Sequence, residues 1–74
     1  MNTEKLVTMA NQIGGFFAAM PDHQEALEGI ALHIKKFWAP PMRRELLAHI
    51  DANADSGLAP LVLEAIKHQR DLLN

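Results

Sequence analysis

Prolines at positions 21, 40, 41 and 60 cut this 74-residue chain into four stretches, each about the length of one short helix. Proline donates no hydrogen bond to a helical ladder and restricts the residue before it, so helices end near a proline or begin on one. Between these breaks the apolar residues return every three or four positions, which is the period of a helix with one buried face. In the first stretch Leu6, Met9, Ala10, Ile13, Phe16, Phe17 and Met20 share a face, which predicts a helix over 3–20 with Asn2 or Thr3 as its cap. Gly14 and Gly15 interrupt it, and each costs roughly 1 kcal/mol relative to Ala inside a helix. They mark either a slack, kinked segment or a close approach by another backbone.

The second helix is predicted over 23–38. Asp22 stands three residues before Glu25, the spacing of a capping box with Asp in the capping position. Ala26, Leu27, Ile30, Ala31, Ile34, Phe37 and Trp38 form its apolar stripe. Glu25 and Glu28 near its start and Lys35 and Lys36 near its end complement the helix dipole. Ala39-Pro40-Pro41 ends it, and Pro41 suits the first turn of a third helix over 42–53, with Met42, Leu46, Leu47, Ile50 and Ala54 inward. Asp55-Ser56-Gly57 is a turn cluster. A fourth helix begins at Ala59 or Pro60 and runs to Leu72, lined by Leu61, Val62, Ala65, Ile66, Leu72 and Leu73. No stretch alternates like a strand between hairpin turns. The fold class is therefore all-α: a small single helical domain over 1–74, with about four short helices in irregular or orthogonal packing. Phe16, Phe17, Ile30, Ile34, Phe37, Leu46 and Ile50 are expected to form one core.

Composition narrows the function. Seven Lys and Arg stand against nine Asp and Glu, for a net charge of -2. Nucleic-acid binders usually carry a basic excess, so none is expected as a partner. There is no cysteine, which removes disulfides, cysteine-type zinc sites and iron–sulfur ligation. No run of 18 apolar residues offers a membrane span, and the N-terminus does not read as a signal peptide, so a cytoplasmic location is expected. A chain this short has one marginal core and little room for a substrate cleft, and usually gains stability from a partner or by oligomerising.

Few residues suggest chemistry. His23, His33, His49 and His68 contain no pair at helical ligand spacing. Only His33 and His49 flank apolar stripes, where packed histidines far outnumber ligands. Ser56 lies in a turn with no nucleophile elbow around it. Glu25, Glu28 and Glu45 read as solvated helix residues, and Gly14-Gly15 lacks the spacing and lysine of a phosphate loop. No catalytic, cofactor-binding or metal-ligating residue is assigned, and no cofactor is expected.

One stretch stands apart. Residues 33–44, HIKKFWAPPMRR, hold Lys35, Lys36, Arg43 and Arg44 without an acid, together with the only tryptophan. Tryptophan and arginine are enriched at binding hot spots, and prolines stiffen a loop before it binds. Trp38, Pro40, Met42, Arg43 and Arg44 are therefore expected to face a partner, with Lys35 and Lys36 at the rim and Phe37 in the core.

The wording of the chain also resembles a known family. Leu6-Val7, Met9 to Gly14 and Phe16-Phe17 resemble the opening of the delta subunit of soluble NAD-dependent formate dehydrogenases. So do Ala26, Gly29 to Ile34, Phe37-Trp38, Pro40 and Met42-Arg43, and then Leu46, His49, Gly57-Leu58, Pro60 to Val62 and Ala65. Ala39 and Pro41 depart from that pattern, which has an acid and a cation there. The resemblance implies a non-catalytic accessory subunit that supports assembly or stability of the complex. Its partners would be the larger subunits, above all the catalytic alpha subunit, which hold the molybdenum or tungsten pterin, iron–sulfur clusters and flavin. The alternative from another class is a free-standing helical homodimer acting as an adaptor or regulator.

Overall fold

A computed structural model describes residues 2–73. Helix α1 spans Thr3–Phe17, α2 His23–Phe37, α3 Pro40–Ala52, α4 Pro60–His68 and α5 Arg70–Leu73. No strand occurs among the described residues, and none of their helices is long and apolar enough to cross a membrane. The radius of gyration of 11.1 Å matches the roughly 11 Å of a folded chain of this length.

The caps follow the sequence. The side chain of Asn2 accepts from the backbone N–H groups of Glu4 (2.9 Å) and Lys5 (3.4 Å). Asp22 Oδ1 accepts from Glu25 N at 3.1 Å, fixing the start of α2. Helices α3 and α4 instead begin on Pro40 and Pro60 behind Ala39 and Ala59, which provide no side-chain cap. Helix α1 stops at Phe17 rather than Met20, and α3 begins two residues earlier than expected. The fourth expected helix is two pieces, because Gln69 leaves helical geometry (φ -115°, ψ 27°) between α4 and α5. That break lets the last turn fold back against α2.

Helix α2 is central, packed against α1, α4 and α5, while α3 leans on α1. The core joins Leu6 and Ala10 of α1, Leu27, Ile30 and Ile34 of α2, Leu46 and Leu47 of α3, Val62, Ala65 and Ile66 of α4, and Leu73. Gly14 is where α1 meets α4: a Cβ there would collide with Cγ2 of Val62. Gly15 faces open space. The close approach at Gly14 is thus by a side chain rather than by the expected backbone, and Gly15 has no packing role. Gly29 of α2 gives the Phe17 ring its seat, with the ring's Cδ1 2.7 Å from where a Cβ would stand.

The core differs from expectation at three aromatic residues. Ile30, Ile34 and Leu46 are buried, and Phe17 and Ile50 pack against the core from its edge. Phe16 and Phe37, however, are 76% and 72% exposed, whereas Trp38 is 5% exposed. Trp38 N–H still donates to the Ile34 carbonyl at 3.0 Å, so its side chain follows Ile30 and Ile34, four residues apart, into the core. Phe37, the last residue of α2, stands at the border of that stripe and is left uncovered.

The segment between α3 and α4 is held from α1. Asn11 Oδ1 accepts from Ala59 N at 2.8 Å and its Nδ2 donates to the Gly57 carbonyl at 3.1 Å. Gly57 has φ 84°, a left-handed conformation suited to glycine. Ser56 Oγ accepts from Leu58 N within the same turn.

Candidate functional site

An open apolar cleft of about 700 Å³ lies between α1, α2 and the start of α3. Met9, Gln12, Ile13 and Phe16 form one side, His33 and Phe37 the other, and Trp38 and Met42 close the end. Helical periodicity explains the grouping. Met9, Ile13 and Phe16 lie three or four residues apart, as do His33 and Phe37, so each set forms a ridge. Trp38 and Phe37 both border the cleft, the first buried and the second exposed.

The aromatic rings form a chain across the two helices. Phe16 and Phe17 meet edge to face with centroids 5.2 Å apart. Phe17 lies 6.5 Å from His33, and His33 lies 4.7 Å from Phe37. Each pair sits within the distance at which aromatic quadrupoles attract, so the two exposed phenylalanines are held in place from below. Exposed rings of this size, on either edge of an apolar cleft, form the kind of patch that marks an interaction site.

The residues assigned to a partner surface divide. Pro40, Arg44, Lys35 and Lys36 are exposed, and Met42 is half-buried in the cleft. Trp38 is not an exposed anchor; it is a core residue with one edge in the cleft floor. Arg43 is not a surface cation either, being 9% exposed. Its Nη1 donates to the carbonyls of Trp38 (2.8 Å) and Lys35 (3.2 Å), and its Nε to that of Leu73 (3.3 Å). Those carbonyls lie at or beyond the ends of α2 and α5, where helical partners run out and the dipole is negative. Arg43 therefore closes the end of α2 and ties α5 to it. The pair of arginines in the sequence carries no signal of which one is internal.

The histidines do not converge. His33 is in the aromatic cleft, while His49 lines a separate depression with Thr3, Glu4, Val7, Thr8, Ser56 and Gly57. His49 Nε2 donates to the Ser56 carbonyl at 2.9 Å, which leaves Nδ1 to accept from Asn53 Nδ2 at 3.2 Å. Its hydrogen bonds are structural. His23 is exposed and bridges to Glu64 across α2 and α4 at 2.9 Å. Among the described residues no three His, Asp or Glu side chains gather as metal ligands would. Glu45 is not simply solvated: its Oε2 is buried with no hydrogen-bond partner.

The clearest charge pair lies away from the cleft. Arg70 Nη1 and Nη2 donate to Asp51 Oδ1 (2.9 Å) and Oδ2 (2.6 Å), joining α3 to the first residue of α5. This two-pronged hydrogen bond, reinforced by the guanidinium charge, holds the Asp51 carboxyl below its ordinary pKa and raises that of Arg70.

Phe16 and Phe37 were missed as surface residues because periodicity places them in the apolar stripes of α1 and α2. No curated protein and no solved structure gives a significant match. A family model described as NADH-dependent formate dehydrogenase delta subunit FdsD matches residues 5–66. That span contains both walls of the aromatic cleft and all of α1 to α3 except the first two residues of α1. An all-helical chain matched over most of its length in this way belongs to the formate dehydrogenase delta subunit family.

Proposed function

We propose that this chain is a non-catalytic accessory subunit, cytoplasmic in location, that packs on the larger subunits of an NAD-dependent formate dehydrogenase and supports their assembly or stability. The observation that carries this reading is the open aromatic cleft on a delta-subunit fold: Phe16 and Phe37 are mostly exposed although the core beneath them is closed. Folding of the isolated chain leaves that apolar area in water, and a partner would remove it. The contact surface includes Phe16, Phe37 and Met42, with Pro40, Arg44, Lys35 and Lys36 around it. Trp38 and Arg43 contribute from below by holding the end of α2. The catalytic alpha subunit is the partner of first choice, since a chain without cysteine supplies no cluster ligand of its own.

Co-expression with the large subunits, followed by purification through a tag on the catalytic subunit, tests the reading. This chain should co-purify with the mature enzyme or with an assembly intermediate, and its omission should lower the yield of active complex. The chain alone should not reduce NAD with formate. Turnover by the isolated chain, or full assembly and stability of the enzyme without it, would overturn the proposal. A dimeric chain that ignores the large subunits would favour the adaptor alternative.

A further inference from the structure

The aromatic cleft does not end at Met9 and Met42. These two residues also line a second depression of about 290 Å³, shared with Asn2, Lys5 and Leu6. Together the two form one groove that follows α1 from Lys5 to Phe16, about 16 Å or three helical turns. Its floor and walls are apolar, and the one charged side chain among its lining residues is Lys5, at one end. Lys36 lies about 60° around α2 from His33, on the side away from the core stripe, which places it along the α2 edge. No Asp or Glu lines either depression. Glu45 is one turn on from Met42 and lines neither, and Glu4 is rotated about 100° around α1 from Lys5.

We propose that this groove receives an amphipathic helix of a larger subunit, about three turns long, with large apolar residues on one face and Asp or Glu at the edges. The inference rests on the accessory-subunit reading and adds the chemistry of the occupant. Phe16 and Phe37 stand as fixed apolar walls, while Met9 and Met42 are unbranched side chains that adapt to what enters. A groove of this length accepts apolar anchors at the i, i+3/i+4 and i+7 positions of a helix. Lys5 and Lys36 then meet the acidic edges, which sets orientation and speeds encounter.

The test titrates the full chain into large subunits purified without it. Phe37→Ser should weaken binding about thirtyfold, the loss typical of a central apolar anchor. Lys5→Glu with Lys36→Glu should slow association about tenfold at low salt and flatten its salt dependence. All three side chains are exposed, and circular dichroism establishes that the variants remain folded. A second measurement uses the absence of cysteine: a polarity-sensitive dye on Gln12→Cys, in the groove, should shift to the blue on binding, and one on Lys67→Cys should not. Wild-type affinity in every groove variant, with an unchanged dye at position 12, overturns the groove and leaves the accessory reading standing. Failure of the wild-type chain to bind at all overturns both. A self-dimer dissolved by Phe37→Ser puts a second copy in the groove and also overturns the inference.

Discussion

At Trp38 the backbone leaves the helical region one residue after Phe37, and the energetic consequences of the two rings separate there. Trp38→Ala removes a buried ring and leaves a cavity, which costs about 3–5 kcal/mol. In a domain of this size that is enough to unfold the isolated chain, so the thermal transition should fall sharply or vanish. Phe37→Ala removes an exposed ring and its contact with His33, and should cost less than about 1 kcal/mol in the same melt. The reverse ranking would show that Phe37, not Trp38, is the buried ring. The paired glycines offer a second contrast. Gly15→Ala should stabilise the chain by roughly 1 kcal/mol because the added methyl meets open space. Gly14→Ala must push Val62 aside and should lower the denaturant midpoint. Neither outcome was legible in the sequence: both glycines have the same propensity, and only the position of α4 distinguishes them.

The elements themselves were largely legible, since proline positions, caps and the 3.6-residue period are properties of local sequence. Asn2 and Asp22 act as the caps that their side chains allow. Helix α3 lacks such a cap behind Ala39. Met42 N–H, the only donor among the first three helical residues because Pro40 and Pro41 have none, already donates to the Ala39 carbonyl at 2.9 Å, so Ala39→Asp should raise stability by only about 0.5 kcal/mol, through a shared cap hydrogen bond and its charge at the positive end of the helix. A melt unchanged by this substitution would show that the cap geometry is not reached. The split between α4 and α5 was not legible, because Leu72 and Leu73 continue the apolar pattern through Gln69. The pair between Asp51 and Arg70 stabilises that junction in a pH-dependent way. Its folded-state pKa is depressed, so the contribution is present above the ordinary carboxylate range of about 4 and fades as pH falls through the folded value. Asp51→Asn should abolish this part of the acid dependence, and a carboxyl titration by NMR should place Asp51 below the ordinary carboxylate range. An ordinary Asp51 pKa would show that the pair does not persist in solution.

Across the whole molecule, Arg43 connects parts that lie 30 residues apart in sequence. Its truncation to Ala leaves carbonyls near the ends of two helices without a donor, each worth about 1–3 kcal/mol when buried. Arg43→Ala should therefore destabilise the fold by about 3 kcal/mol and release amide exchange protection in α5 before the rest. An equal effect from Arg44→Ala would show that the two arginines have been exchanged in role. The sequence by itself determined the all-helical class, the approximate elements and the family, because helical period, caps and proline breaks act within a few residues. It also marked residues 33–44 as unusual. Only the tertiary structure decided which members of that stretch face outward. Trp38 continues the stripe of Ile30 and Ile34 into the core, and its extended ψ sends the chain after it away toward α3. The same packing leaves Phe16 and Phe37 on the edges of a groove, since neighbouring helices cover α2 on the sides that meet α4 and α5 but not above His33. Burial of a border residue depends on where the next helix lies, and that position follows from the balance of all the interhelical contacts rather than from any local pattern.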